Sequence, residues 1–316
     1  MEYLVTGATG FIGGHLARLL LERGHGVRAI VRSPPRAQGL VERGVQVYPG
    51  DITDRPSLRP AMLGVDGVFH VAGWYRIGVR DRATAIAVNV EGTRNVLETM
   101  RALRIPKGVY TSTLAVYSDT RGVLRDESFR YVGPWLTLYD ETKWKAHYEV
   151  AEPMARDGLP LVTVLPGLVY GPGDTSPMHD VWLEYLSGRL RAVPKVTAYC
   201  FGHVEDTAEA HLQAMERGVP GQSYNISGPP HTLVEALEIA RQATGIPAPK
   251  WHPSRSTLRM MAALTRNERY RVAGATYLGD NRKAVRELGF APRSLEIGLP
   301  TTLESERRAL SSGPTG

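Results

Sequence analysis

An α/β fold, a doubly wound parallel sheet followed by a smaller C-terminal α/β domain, is predicted by three features of the chain. From residue 2 to about 165, short β-rich runs alternate with amphipathic helical stretches. A glycine-rich turn, TGATGFIG at 6–13, joins the first of those runs to the first helical stretch. Beyond about 170 the alternation breaks down and prolines and glycines become denser. Repeated β-α alternation places helices on both faces of one parallel sheet.

The predicted strands are EYLVT (2–6), VRAIV (27–31), VQVYP (45–49), GVFHV (67–71), GVYTS (108–112) and LVTVL (161–165). Between them, FIGGHLARLLLERG (11–24) and AIAVNVEGTRNVLETMRAL (85–103) read as helices. Residues 218–249 read as a short strand, a loop and a helix, with Thr232 and Glu235 at capping-box spacing. The organisation expected is a nucleotide-binding domain over 1–168 and a substrate domain over 169–316. A segment at about 199–217 returns to the first domain, and a disordered tail occupies 311–316.

Composition narrows the function classes. With 42% hydrophobic and 22% charged residues in a 316-residue chain, this is an ordinary globular protein able to bury a substantial core. No apolar stretch reaches the ~20 residues that span a bilayer. EYLV follows Met1 directly, leaving no room for a secretory leader, so the cytoplasm is the expected location. A single cysteine, Cys200, excludes an internal disulfide and a thiolate metal cluster, and no metal site is expected. The net charge of +6 is spread among interspersed acids rather than gathered into a basic run with aromatics, which argues against a nucleic-acid partner.

The glycines of TGATGFIG have separate tasks. Gly7 permits the tight bend, Gly10 lets a pyrophosphate approach the backbone, and Gly13 lets helix pack on strand. With Phe11 and Ile12, they form the expected phosphate-binding turn, helped by the exposed N–H groups and positive end of the helix. A plain structural turn is the competing reading of such a triplet taken alone.

Cofactor choice falls to the end of the second strand, where NAD sites usually place an acid for the ribose hydroxyls. Here AIVRSPPR puts Arg32 in that place with Arg36 nearby, a pair suited to a 2′-phosphate. NADP is therefore the expected cofactor and NAD the alternative; a solvated surface arginine is the bland reading. Asp51, with Ile52 beside it in GDITD, is expected to accept from the adenine amino group, or to serve only as a turn or cap residue.

YDETK places Tyr139 four residues before Lys143 on one helix face. An ammonium beside a phenol favours the phenolate and is expected to lower the Tyr139 pKa toward working pH. Upstream, VYTSTLAVY presents Ser112 and Thr113 at the carboxyl edge of the sheet, where ligands of open parallel sheets bind. Thr113 is placed to polarise the oxygen that Tyr139 protonates.

TGATGFIG, GDITD, HVAG, NVEGTRNVL, YTSTLAVY, YDETK and LPGLVYGPGD together resemble the extended short-chain dehydrogenase/reductase family, and FGHVEDTAEAH and GQSYNISG extend the likeness over nearly the whole chain. The resemblance implies a Rossmann domain and a catalytic trio of Thr113, Tyr139 and Lys143. It also implies cofactor contacts from Ala72, Gly73, Pro166 and Val169, and places Asn89 on a family asparagine. Two departures choose among branches. Leu114 and Ala115 stand where the family's 4,6-dehydratases carry Asp-Glu. Leu168 and Tyr199 stand where its nucleotide-sugar enzymes usually have an asparagine and an arginine. The match looks closest to the dihydroflavonol-reductase-like carbonyl reductases.

The expected activity is NADP-dependent reduction of a ketone or aldehyde. A sugar epimerase and a non-catalytic cofactor sensor are the alternatives. Tyr75, Leu168, Thr113 and Tyr199 are the candidate substrate contacts. Trp74, Trp135, Met178 and Trp182 suit a flat apolar substrate or, as often, core packing. His70, His179 and His203 read as packed core histidines. The family's habit of pairing through the Tyr-Lys helix and the helix over 86–103 suggests a homodimer.

Overall fold

The computed structural model describes residues 1–76, 81–265 and 268–311, apart from the side chains of Arg36, Glu268, Arg269, Ala309 and Ser311. In chain order its strands are β1 (Glu2–Thr6), β2 (Gly26–Val31), β3 (Gln46–Pro49), β4 (Gly67–His70), β5 (Gly108–Thr111), β6 (Leu161–Pro166), β7 (Leu168–Tyr170), β8 (Ala198–His203), β9 (Ser223–Ile226), β10 (Pro230–Thr232) and β11 (Thr276–Tyr277). The predicted strands match β1 to β6 within a residue or so. A seven-stranded sheet runs β3-β2-β1-β4-β5-β6-β9 with every pairing parallel. This is a Rossmann-like α/β fold.

Both faces of the sheet are covered, so its strands are apolar on both sides. Leu4 and Val5 show the alternation: successive strand residues point to opposite faces. Val5 packs with Leu16 and Leu20 of helix Phe11–Glu22 and with Leu212 of helix Val204–Arg217. Leu4 packs with Leu58 of helix Arg55–Met62 and with Val96 and Met100 of helix Gly92–Leu103. Each such buried side chain contributes about 1.5–3 kcal/mol of hydrophobic stabilisation.

A second sheet gathers β8 with β7 and β11 parallel to it and β10 antiparallel. Helices Pro177–Leu186, Leu233–Thr244 and Leu295–Ser311 cover it through Trp182, Tyr185, Leu237 and Leu299. The capping box holds as read: the Glu235 amide donates to Thr232 Oγ1 at 3.1 Å, and the Thr232 amide to Glu235 Oε2 at 2.7 Å.

The segment about 199–217 divides at His203. Its strand, β8, centres the second sheet, while helix Val204–Arg217 lies on the first. Farther on, β9 and helix Arg282–Leu288 also join the core of the first sheet, the latter through Ala284 and Leu288. Among the described residues, no helix is long and apolar enough to cross a membrane.

Candidate active site

The strand order reverses direction at β1, whose neighbours are β2 and β4, so a crevice opens beyond the carboxyl ends of β1 and β4. TGATGFIG lies in it. Gly7 adopts φ +75°, and a Cβ there would lie 2.8 Å from the Ala72 nitrogen. A Cβ on Gly13 would lie 2.1 Å from the Gly7 carbonyl oxygen, so strand and helix can approach only with glycine at this position. Gly10 caps helix Phe11–Glu22 with no side-chain bond, and no acid stands in the first turn. The leading N–H groups, including those of Phe11 and Ile12, are thus left for an outside acceptor. A cleft of about 270 Å³ lies over Thr9, Gly10, Phe11 and Gly14, with His15, Arg18 and Arg43 on its wall. Uncapped amides under a cationic cleft fit the phosphates of a dinucleotide.

Arg32 directly follows β2 and is exposed; the Arg36 side chain lies outside the described residues. Asp51 Oδ1 accepts from the Thr53 amide at 2.9 Å and the Thr53 hydroxyl at 2.8 Å, the turn arrangement that was one of its two readings. The Ile52 side chain is in the core, and its carbonyl accepts from Asn95 at 2.9 Å. The Ala72 amide donates to Thr6 Oγ1 at 3.2 Å, and Gly73 beside it is exposed. Pro166 ends β6, and Val169 sits half-buried in β7.

Thr137 starts the helix of Tyr139 and Lys143, Leu138–Lys145, by accepting from the Asp140 amide at 3.1 Å. Lys143 is buried, and its Nζ donates to the Tyr110 hydroxyl at 3.1 Å and to the Thr111 carbonyl at 2.8 Å. Burial brings its pKa down to about 7. Tyr139 departs from expectation. Burial pushes its phenol above the ordinary value, with the Thr113 hydroxyl pulling the other way, and the lysine's bonds go to Tyr110 and Thr111 instead. Thr113 is extended and accepts from the Ala115 amide at 3.1 Å, whereas Ser112 turns inward to His147 Nδ1 at 2.7 Å. Of the two hydroxyls expected at the sheet edge, only that of Thr113 is placed against Tyr139.

Asn89 fastens the site together from a π-helical turn, Ala87–Glu91. It accepts from the Trp74 amide at 2.7 Å and donates to the Trp74 carbonyl at 3.0 Å and to Thr142 Oγ1 at 2.9 Å. The loop after β4 is thereby tied to helix Leu138–Lys145.

Sequence reasoning passed over Tyr110, Asp140 and Tyr277. Asp140 is buried, and its Oδ2 accepts from Ser118 at 2.9 Å and Tyr277 at 3.4 Å. Loss of hydration raises its pKa to about 7 despite those bonds. Tyr139, Tyr199, Tyr277, Leu136 and Val272 pack in one cluster, and the Tyr75 ring stands edge-on to Tyr139 at 5.0 Å. Leu168 leans into the core of the second sheet.

Met178 and Trp182, read as pocket candidates, are core residues packed on the second sheet. Trp135 packs 5.5 Å from Trp144. His70 and His203 are buried, but His179 is a half-buried partner of Glu306 at 3.0 Å rather than a core histidine. Among the described residues, no cluster of His, Cys, Asp or Glu could hold a metal.

An open parallel sheet whose switch point carries an uncapped glycine turn, facing a Tyr-Lys helix, defines a dinucleotide-binding α/β enzyme. Residues 3–227 match the NAD dependent epimerase/dehydratase family, and the chain belongs to that family, within the extended short-chain dehydrogenases/reductases. It is 31% identical to Sterol demethylase protein B of Methylococcus capsulatus, over 93% of this chain and 94% of that protein. It is 32% identical to a putative dihydroflavonol 4-reductase of Synechocystis, over 94% and 92%. Among solved structures it resembles gox2253 (TM-score 0.87, 31% identity, 98% of each chain). It also resembles the UDP-glucose 4-epimerase of Thermotoga maritima (TM-score 0.80, 25% identity, 98% of this chain and 100% of that one).

Proposed function

We propose that this enzyme is an NADP-dependent carbonyl reductase acting on a ketone or aldehyde. The observation that carries the reading is the surroundings of Tyr139: with Leu136, Tyr199 and Val272 it packs on the buried cluster of Ala115, Ala275 and Tyr277, apolar and aromatic ground that suits a carbonyl compound better than a sugar diphosphate. When bound, the reduced nicotinamide supplies hydride to the carbonyl carbon. Tyr139 gives the proton to the carbonyl oxygen, and Thr113 orients that oxygen. Lys143 contributes positive charge beneath the site and reaches for the nicotinamide ribose. Arg32 reads the 2′-phosphate. A phenol raised by burial holds its proton until charge develops on the substrate oxygen, which is what a general acid requires.

Tyr139→Phe is expected to lower kcat by about 10²–10⁴-fold while the dissociation constant for NADPH stays within a few-fold. Wild-type turnover in that variant would sink the assignment. The likeness to a UDP-glucose 4-epimerase favours a second reading, in which hydride is removed and returned at one carbon. That cycle needs tightly held oxidised cofactor. Denaturing the purified protein and identifying the released nucleotide separates the two: near-stoichiometric NAD supports the epimerase, an empty protein or NADP the reductase. A homodimer through the catalytic helix and the helix Gly92–Leu103 belongs to the same proposal and is checked by sedimentation.

A further inference from the structure

We propose that Tyr277 is a specificity-determining residue of this site, forming with Tyr199 a flat aromatic wall beside Tyr139 that receives a planar, ring-bearing carbonyl compound. The inference rests on the reductase reading for the carbonyl, and on the following geometry for the ring.

Tyr277 and Tyr199 are register partners on the parallel strands β11 and β8. Their rings lie 5.8 Å apart between centroids and only 6° from parallel, an offset stack. Tyr277 is buried and backs the half-buried Tyr199. Its hydroxyl reaches Asp140 Oδ2 at 3.4 Å, an oxygen that Ser118 also engages at 2.9 Å. Asp140 directly follows Tyr139 on the catalytic helix. The wall belongs to the second sheet, but it is pinned to the element that carries the proton donor. Tyr75 also borders Tyr139, exposed and edge-on to it at 77°. A flat apolar ring bound beside Tyr139 gains aromatic contact on the Tyr199 face while its carbonyl meets Tyr139. A short aliphatic carbonyl compound gains only the second interaction.

The test uses 2-acetylnaphthalene as planar probe and butanone as comparator. Binding is measured by calorimetry on the whole protein with NADP⁺ present, so that no turnover occurs. Wild type is expected to bind the naphthyl ketone. Tyr277→Leu should weaken it about fivefold, the range of one aromatic pair, and Tyr277→Phe, which keeps the ring, less than twofold. Tyr199→Leu gives the same answer if the buried substitution prevents folding. With NADPH, the loss in Tyr277→Leu should fall on KM for the naphthyl ketone, with KM for butanone unmoved. An unchanged dissociation constant in both leucine variants, or no binding of the probe by wild type, overturns the wall. Failure to oxidise NADPH with either ketone counts against the reductase reading alone, because the binding comparison still decides whether the wall exists.

Discussion

The ammonium of Lys143 donates to the hydroxyl of Tyr110 at 3.1 Å, from a nitrogen lying 4.7 Å from the centre of the same ring. Tyr110 sits on β5, wholly buried and stacked at 5.6 Å on His70. The lysine is thus held from below by a strand residue. Burial alone draws its pKa down to about 7, and the tyrosine oxygen is one of two acceptors favouring the charged form.

Tyr110→Phe removes that acceptor and keeps the ring. A hydrogen bond to a charged group contributes about 1.5–3 kcal/mol, and 1.36 kcal/mol corresponds to one pKa unit. The Lys143 pKa should fall, so the alkaline limb of the kcat/KM profile moves to lower pH by about one unit. An unmoved limb would show that Tyr110 does not support the charge.

Asp140 predicts a stability penalty that grows with pH and that its removal relieves. Its folded pKa, about 7, stands above the ordinary aspartate value of 3.8. Between those values the folded chain holds a proton that the unfolded chain has released, so this group lowers stability as pH rises through the window. Asp140→Asn removes the ionisation. Denaturant unfolding should find the variant close to wild type near pH 4 and more stable above pH 7, by on the order of 4 kcal/mol before any loss at the Ser118 contact. A difference that does not change with pH would refute the buried-charge account.

The first sheet was readable because each of its early strands is a short run of Val with other apolar or aromatic residues between turn residues. The glycine turn and Tyr139 with Lys143 were readable because their spacing is local. What escaped depends on distant pairing. Tyr110 reads as one more apolar strand residue, and only the fold puts its hydroxyl under Lys143. Asp140 reads as an ordinary acid in a first helical turn, where the helix dipole welcomes it. Tyr277 lies on a two-residue strand too short to show periodicity, and it meets Tyr199 only through the register of β11 on β8. The inward turn of Ser112 likewise depends on His147, a residue on another element.

Arg32 tests the cofactor preference. It is exposed at the end of β2, the position from which a side chain meets the adenine ribose in this fold. Arg32→Asp should weaken NADPH by at least tenfold, about 1.4 kcal/mol, and leave NADH equal or improved. Fluorescence titration with both nucleotides measures it. Equal weakening of the two would mean that the arginine does not read the phosphate.

Asn89 predicts a coupled loss of stability and cofactor affinity. It is buried, and its amide group satisfies both backbone groups of Trp74 and the Thr142 hydroxyl. Truncation to alanine leaves those groups inside the protein without that partner, at about 1–3 kcal/mol for each one unsatisfied. Asn89→Ala should therefore melt several degrees lower. The loop carrying Ala72 and Gly73 would also lose its tie to helix Leu138–Lys145, so the dissociation constant for the cofactor should rise. Asn89→Asp separates the two effects. An aspartate still accepts from the Trp74 amide, but it cannot donate to the Trp74 carbonyl or to Thr142 Oγ1. Its stability and affinity should fall between those of wild type and alanine. Thermal melts with and without saturating nucleotide read both quantities. A variant that melts early yet binds cofactor as wild type would show that the asparagine supports the fold alone, and that the loop after β4 holds its place without it.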